Sequence, residues 1–373
     1  MENSINMITI DVVIPSFRLQ SKYLLSIIGM KKPLNSKIRY IIIGDNPEAQ
    51  LSNNFNDKID NKFVLFHKNT KNLGAHGSRN VGINLSESDW ILFLDDDIKP
   101  DQELLIKYTE AIRANPHEVG FFGETLFPKP FNNFTKGIIA CDILTFFFLA
   151  GYYSKLKWAP TANVIIKTDV IGETRFQNIF PNNGGGEDID FFLQINRKTK
   201  KDLICLSDAK VYHDWWYNGD RNYTRFVRWS YGDTLLHEIF PEFTYYNFPN
   251  VIESLFFGTI IIFIFSIFVL SIKPIICLIL GIIIGEILVE FIRLHIYKGF
   301  SGSKFTLESV LIRASNDIGR LYMQLFVLKR LKGIFERFDH FCDGKHIKYQ
   351  KSWAGIKFSS YIFFTIIILM LIN

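Results

Sequence analysis

Short apolar runs alternate with amphipathic stretches through the first 240 residues. The apolar runs predict strands at 10–15, 38–45, 62–68 and 89–97, and the stretches between them predict helices at 20–30, 75–85 and 101–115. Strands that are apolar on both faces and separated by helices are typical of a mainly parallel sheet covered on both sides. The pattern therefore predicts an α/β domain over residues 1–240, with its ligands beyond the carboxyl ends of the strands.

The pattern changes after residue 250, where long apolar runs predict membrane helices. Ser254 to Ile272 is 19 residues without a charge, enough to cross the hydrocarbon layer as a helix. A second run, 274–292, contains Glu286 and Glu290 on one helix face. We expect a transmembrane hairpin over 250–293; the alternative is a buried hairpin in a soluble protein.

The remaining C-terminal residues divide into a basic segment, 294–357, and a short apolar segment, 358–373. Because cations favour the cytoplasmic side, we expect a multi-pass protein of the cell membrane whose first domain is cytoplasmic. Residues 304–337 are amphipathic in parts, so we expect them to lie on anionic lipid at the inner leaflet. The segment 358–373 is expected to be a short span or an interfacial anchor.

Composition narrows the class of protein. Hydrophobic residues make up 48% of the chain and the mean hydropathy is +0.12, which excludes a disordered chain and fits contact with lipid. The net charge of +5 is too modest to indicate a nucleic-acid partner. The four cysteines form no CxxC pair, so neither a zinc ribbon nor a disulfide framework is expected, and the first residues do not resemble a signal peptide.

Polar residues follow three of the predicted strands, at Pro15-Ser16, at Asp45 and at the run Asp95, Asp96 and Asp97. Adjacent carboxylates at a strand end need a cation, and oxygen ligands suit Mg²⁺ or Mn²⁺. If the strand stays extended, Asp95 and Asp97 face one way, towards a metal, and Asp96 faces the other, towards a ribose hydroxyl. The alternative is a solvated turn with helix-capping acids.

Two glycine-containing segments carry further candidate chemistry. In NLGAHGSRNVG, the residues Asn72, Gly74 and Arg79 lie at a helix start, where backbone N–H groups and a guanidinium favour phosphates. The segment matches neither the dinucleotide fingerprint nor the P-loop. In GGGED, Glu187 and Asp188 open a helix after three glycines, and a carboxylate there can take the proton of an attacking hydroxyl. The alternative is an ordinary pairing of acids with the helix dipole.

The series DVVIPSF, GDN, NLGAHGSRNVG, WILFLDDDIKPD and GGED resembles the family-2 glycosyltransferases, which have the GT-A fold. The resemblance covers about residues 8–235 and implies a nucleotide-sugar donor, Mn²⁺ or Mg²⁺, and inversion at the sugar carbon.

The resemblance also implies roles for individual residues. Pro15, Ser16 and Asp45 would border the base of the nucleotide, and Arg79 would contact its diphosphate. Asp188 would be the general base with Glu187 as its neighbour, and His213 would complete the metal site. The residue types after His213 offer two further interpretations. Aromatic faces stack on sugar rings, so a sugar-binding platform could be formed by Asp214, Trp215 and Trp216. The alternative is a membrane-interface belt.

RFVRW at 225–229 partly resembles the QxxRW motif of processive synthases, with Arg225 in place of glutamine. Arg228 is expected to neutralise diphosphate. The arginine in place of glutamine argues against processive synthesis and for the addition of one or a few sugars.

The expected protein is a membrane-anchored, inverting, metal-dependent glycosyltransferase. Its expected donor is a UDP-sugar, and its acceptor is a hydroxyl of a glycan or of a lipid-linked saccharide. A polyprenyl-phosphate glycosyltransferase is the main alternative. A nucleotidyltransferase would need a glycine-rich loop after the first strand, and a non-enzymatic membrane scaffold leaves the three acidic and basic motifs unexplained.

Overall fold

The structure of the protein is a computed structural model that describes residues 7–182, 184–269 and 271–372. The chain divides into two compact units. The first comprises 1–129 and 144–218, and the second comprises 130–143 and 219–373.

The strands and helices are numbered along the whole chain. The strands are β1 (Ile8–Ser16), β2 (Ser36–Gly44), β3 (Val64–Lys68), β4 (Trp90–Leu94), β5 (Ile98–Pro100), β6 (Gly120–Leu126), β7 (Lys155–Leu156), β8 (Asn163–Lys167), β9 (Leu203–His213), β10 (Thr244–Tyr246) and β11 (Glu336–Phe338). The helices are α1 (Ser21–Ile28), α2 (Asn53–Asn56), α3 (Gly74–Leu85), α4 (Leu104–Ala114), α5 (Asn133–Ala140), α6 (Thr145–Phe148), α7 (Thr168–Ile171), α8 (Glu187–Thr199), α9 (Thr224–Ile239), α10 (Val251–Val269), α11 (Lys273–Ser303), α12 (Thr306–Tyr322) and α13 (Ile347–Ile372).

The first unit is built on a mixed sheet. Within the described residues the sheet has nine strands in the order β3-β2-β1-β4-β8-β6-β9-β5, with β7 beside β9. Strands β1, β2, β3, β4, β6 and β9 run in one direction, and β5, β7 and β8 run in the other. The predicted α/β fold with a mainly parallel sheet is confirmed.

Strand β8 is the reversed strand at the centre of the sheet. It pairs antiparallel with β4, and Leu94, the last residue of β4, lies opposite Asn163, the first residue of β8. The residues just before β8 therefore lie at the edge where β4 ends.

A buried ion pair joins β1 and β2 towards the amino ends of the parallel strands. Asp11 in β1 is fully buried, and its carboxylate accepts two hydrogen bonds of 2.8 Å from the Arg39 guanidinium of β2. Ser86 Oγ and the main-chain N–H groups of Glu87 and Ser88 also donate to this carboxylate. Burial alone would raise the pKa of Asp11, but these donors outweigh it and the pKa is lowered.

The second unit contains α5 and α9 as well as the apolar helices, so the units do not divide at the predicted boundary of residue 240. Helix α9 packs closely on α12 at Gly319, where a Cβ atom would lie 2.2 Å from both Ser230 Oγ and the Val227 carbonyl oxygen. Glycine therefore permits an approach that joins residues 224–239 to the helical unit.

Two single helices among the described residues, α11 and α13, are long and apolar enough to cross a membrane. Helix α10 is shorter, and Leu270 of the predicted hairpin lies outside the described residues. Helix α13 begins at Ile347, earlier than the predicted segment 358–373, and Lys357 lies within it. Its ammonium group lies 3.3 Å from the Glu290 carboxylate of α11 and also pairs with Glu286.

Helix α12 exposes an apolar face. Glu308, Ser309, Ile312 and Gly319 are buried. The opposite face carries exposed apolar side chains about one or more helical turns apart, and we call them the outer stripe: Leu307, Leu311, Ile318 and Tyr322.

Replacement of Asp11 by alanine should destabilise the protein by about 3–5 kcal/mol, because it leaves the buried Arg39 guanidinium unpaired. The measurement is urea unfolding of the full chain in detergent, followed by circular dichroism. Because the pKa of Asp11 is lowered on folding, the difference from wild type should be full near neutral pH and should shrink as the pH falls below about 4.

The matched control is Glu87→Gln. Glu87 contacts the same guanidinium at 2.6 Å, but its side chain is 77% exposed, so its loss should cost less than about 1 kcal/mol. If Asp11→Ala and Glu87→Gln lost equal amounts of unfolding free energy, the buried Asp11–Arg39 pair would not have the importance assigned to it.

Candidate active site

Parallel strands bring the predicted polar residues to one edge of the first unit. β1 lies between β2 and β4, so Ser16, Asp45 and Asp95 follow neighbouring strand ends. The Ser16 carbonyl accepts a hydrogen bond of 2.9 Å from the Asp45 N–H, and Ser16 Oγ donates to Asp96 at 2.7 Å. Pro15 lies beside Ile43 of β2. These residues line a common edge, as the sequence predicts.

The three aspartates form a turn rather than the end of an extended strand, since β4 ends at Leu94. The expected alternation is therefore wrong. Asp96 and Asp97 share one partner, the Arg18 guanidinium, at 2.6 and 2.8 Å. Asp95 bonds instead to Arg79 at 2.9 Å.

Asp97 and His213 lie in direct contact, with 3.1 Å between Asp97 Oδ1 and His213 Nε2. Burial would raise the pKa of Asp97, but His213 and Arg18 outweigh it and the pKa is lowered well below its usual range. Burial would lower the pKa of His213, but the nearby carboxylates of Asp97 and Asp95 help raise it. In the part of the chain that the structure describes, no three acidic, histidine or cysteine side chains form a ready metal cluster. Asp97 and His213 do provide one oxygen and one nitrogen donor side by side.

Arg79 connects the aspartate turn with the GGGED segment. Its side chain is 5% exposed, and Nη1 lies 3.7 Å from both the Glu187 and Asp188 carboxylates. Among the described residues, Arg79 Nε and Nη1 have no hydrogen-bond partner. Buried donors of this kind suit an anionic ligand such as a diphosphate.

Asp188 is held by a residue that no motif indicated, Thr161. The Thr161 N–H and Oγ1 donate to the two carboxylate oxygens of Asp188 at 3.1 and 2.9 Å. Burial raises the pKa of Asp188, and Arg79 and Thr161 offset only part of this effect. Burial and the Asp188 charge raise the pKa of Glu187 to about 8. The pair therefore holds a proton more tightly than ordinary carboxyl groups do.

The expected phosphate-binding helix, α3, begins at Gly74 with φ +73°, a backbone conformation that favours glycine. A Cβ atom there would lie 2.8 Å from the Cα of Asn182, so the start of α3 lies against the segment before GGGED. Asn72 Oδ1 accepts the Gly74 N–H at 2.9 Å, and Asp45 Oδ1 accepts the Leu73 N–H at 2.8 Å. The structure thus brings together the residues of the first unit that the sequence predicts to bind the nucleotide sugar.

Comparison with known proteins identifies the family of this domain. Residues 11–160 match the family model of glycosyl transferase family 2. Residues 11–160 therefore form a glycosyl transferase family 2 domain. Members of the family transfer sugars from nucleotide-sugar donors to acceptors.

Curated relatives of this family-2 glycosyltransferase occur in Haemophilus influenzae. One uncharacterized glycosyltransferase is 28% identical over 111 residues, which are 29% of this chain and 36% of the relative. Another is 26% identical over 213 residues, which are 56% of this chain and 79% of the relative.

Among solved structures, S. aureus TarS has a TM-score of 0.41 at 15% identity and covers 62% of this chain and 42% of its own. GalNAc-T7 with UDP, GalNAc and Mn²⁺ has a TM-score of 0.46 at 13% identity and covers 64% of this chain and 51% of its own.

Several site residues of this glycosyltransferase were not predicted from its sequence. Arg18 and Thr161 lie in no recognised motif, and only the fold brings them to Asp97 and Asp188. Arg228, predicted to contact diphosphate, lies on α9 in the second unit and is not part of the cluster described within the first.

Proposed function

We propose that this family-2 glycosyltransferase is a metal-dependent inverting enzyme that moves a sugar from a nucleotide sugar, expected to be a UDP-sugar, to a hydroxyl of a glycan or lipid-linked acceptor. The observation that carries the proposal is the position of Arg79, which contacts Asp95 on one side and Glu187 and Asp188 on the other. A candidate base and a candidate phosphate site therefore adjoin within one unit.

Asp188 is the proposed general base. Its carboxylate takes the proton of the acceptor hydroxyl as the oxygen attacks C1 of the donor sugar, and the bond from C1 to the diphosphate oxygen breaks. Thr161 holds the carboxylate in place, and Glu187 is its neighbour. Attack from the face opposite the leaving group inverts the configuration at C1.

The donor is proposed to bind along the strand edge. Pro15, Ser16 and Asp45 border the base, and Asn72, Gly74 and Arg79 contact the phosphates. Asp97 and His213 would hold a Mn²⁺ or Mg²⁺ ion, with Asp95 nearby and the diphosphate and water as further ligands. Such an ion neutralises the charge that develops on the leaving nucleoside diphosphate.

The first test is donor turnover by the full chain in detergent. The protein is given a panel of nucleotide sugars with Mn²⁺ or Mg²⁺, and release of nucleoside diphosphate is measured. We expect metal-dependent release from one donor. Asp188→Asn should lose about a hundredfold or more of this activity, because removal of a catalytic acid–base group costs about that much. Asp97→Ala should also lose activity, because it removes a proposed ligand of the ion that neutralises the leaving diphosphate.

Lys31→Gln, which breaks the exposed Lys31–Glu103 pair, is the matched control and should retain full activity. If no donor is turned over and neither Mn²⁺ nor UDP binds, the proposal is wrong and a non-enzymatic scaffold becomes the better hypothesis. Full activity of Asp188→Asn with a polyprenyl-phosphate acceptor would instead favour that acceptor class, because an anionic acceptor needs no base.

Thr161→Val should move the acidic limb of the pH–rate profile to higher pH by about one pH unit. This shift corresponds to the free energy of one hydrogen bond to a charged group. The reason is that the Oγ1 donor lowers the pKa of Asp188, which must be deprotonated to act as a base. Arg79, Asp95 and Glu187 are the charged groups around this carboxylate, and all remain in the variant.

The control is Thr161→Ser, which keeps the hydroxyl group and should keep the wild-type profile. An equal shift in the serine and valine variants would show that the hydroxyl group is not the cause.

We further propose that α11 and α13 anchor the enzyme in the cell membrane, and that the outer stripe of α12 lies in the lipid interface. The exposed apolar faces of α11 and α13 support this, as does the run of cations Lys329, Arg330 and Lys332 beyond the stripe. The first unit is proposed to be cytoplasmic.

A fluorophore on Ile318→Cys or Ile366→Cys should be quenched by brominated lipid, and one on Leu34→Cys should not. Ile318 and Ile366 are exposed positions of α12 and α13, and Leu34 is an 85% exposed position of the first unit. The background is Cys205→Ser, since the other three cysteines are buried. Quenching at Ile366 but not at Ile318 would place the stripe in water. No quenching at either position would refute the membrane anchor.

A further inference from the structure

The His213 imidazole is held on three sides within the first unit. Its Nε2 lies 3.1 Å from Asp97 Oδ1, and its Nδ1 contacts the main-chain carbonyl oxygen of Asp214. The Phe127 ring stacks on the imidazole at 5.0 Å between centroids, with 23° between the planes. A carbonyl oxygen only accepts hydrogen bonds, so Nδ1 carries the proton that the neutral ring retains. Nε2 is then the nitrogen that can bind a metal.

The side chain of Asp214 is itself fixed by groups from two other elements. Tyr23 Oη of α1 donates to it at 2.7 Å, and Lys99 Nζ of β5 lies 3.1 and 3.2 Å from its two oxygens. Lys22 Nζ lies 3.4 Å away. Because both oxygens already accept hydrogen bonds, this carboxylate is better suited to hold the chain in place than to bind a sugar or a metal itself.

These partners are attached to well-packed parts of the fold. Tyr23 is 7% exposed, and β5 pairs with β9 at Ile98 and His213. On the other side of Asp214, the Trp215 side chain is buried and contacts Phe127 at 5.2 Å. The main chain between residues 213 and 215 is therefore fixed at both ends, and the direction of the Asp214 carbonyl is fixed with it.

We propose that Asp214, held by Tyr23 and Lys99, is a positioning residue that selects the tautomer and orientation of His213 for a divalent metal. We call these three residues the Asp214 clamp. The inference rests on the proposed function, since it assigns His213 to the metal. It adds a role for a side chain whose carboxylate does not contact the metal ligand directly.

Loss of the clamp should weaken metal binding without abolishing it. Groups that orient a histidine ligand typically contribute about 10-fold to 100-fold to metal affinity. Tyr23→Phe removes one hydrogen bond to Asp214, and Asp214→Asn removes the charge that attracts Lys99. Each should raise the Kd for Mn²⁺ by about tenfold, and His213→Ala should raise it by more.

The experiment is titration of the full chain in detergent with Mn²⁺, alone and with UDP, followed by the electron paramagnetic resonance signal of free Mn²⁺. The decisive measurement is the double variant of Tyr23→Phe with His213→Ala. If the clamp acts through His213, the double variant should have the Kd of His213→Ala alone. A general loss of structure would add its effect in both backgrounds and would overturn the proposal.

Lys31→Gln is again the matched control, because it breaks an exposed ion pair outside the clamp, and its Kd should equal that of wild type. If His213→Ala weakens Mn²⁺ binding but Tyr23→Phe and Asp214→Asn do not, the clamp is wrong and the metal role of His213 stands. If His213→Ala binds Mn²⁺ as wild type does, the metal role itself fails, and the clamp fails with it.

Discussion

The candidate site of the first unit depends on the contacts between the buried Arg79 guanidinium and its acidic neighbours. Three carboxylates surround it, and without a cation their mutual repulsion and their burial would keep the aspartate turn and the start of α8 apart. The two segments come from distant parts of the chain, so no local preference brings them together. Two of the arginine's nitrogen atoms still have no hydrogen-bond partner among the described residues, so buried donors remain beside the three carboxylates.

Paired charges also organise the helical unit. Glu290 lies in an apolar helix, where a lone carboxylate is costly, yet it accepts hydrogen bonds from Arg293 and Ser309. Glu253 is buried and bonds to Arg320 and Arg337. Each pair has a particular partner and direction, which a purely apolar contact lacks. The bonds from Glu290 to Ser309 and from Glu253 to Arg320 join different helices, so they specify which helix lies against which, even where they add little to stability.

Local pattern was enough to predict strands β1 to β4, helices α1, α3 and α4, and the gathering of Ser16, Asp45 and the aspartates at one edge. It did not predict side-chain contacts between residues that only the tertiary fold brings together. The turn at 95–97 replaces the expected alternation because β4 ends at Leu94. Arg18 and Thr161 carry no signal of their own, since only the packing of the sheet brings them to their acidic partners.

The reversal of β8 has a consequence for how this enzyme can change over evolution. Thr161 reaches Asp188 because β8 begins where β4 ends, a position set by the pairing of Asn163 with Leu94. The length and composition of the chain between β6 and β8 do not enter into that pairing. Insertions or deletions that leave Phe127, Thr161 and Asn163 in place can therefore occur in this stretch while Thr161 stays in contact with Asp188.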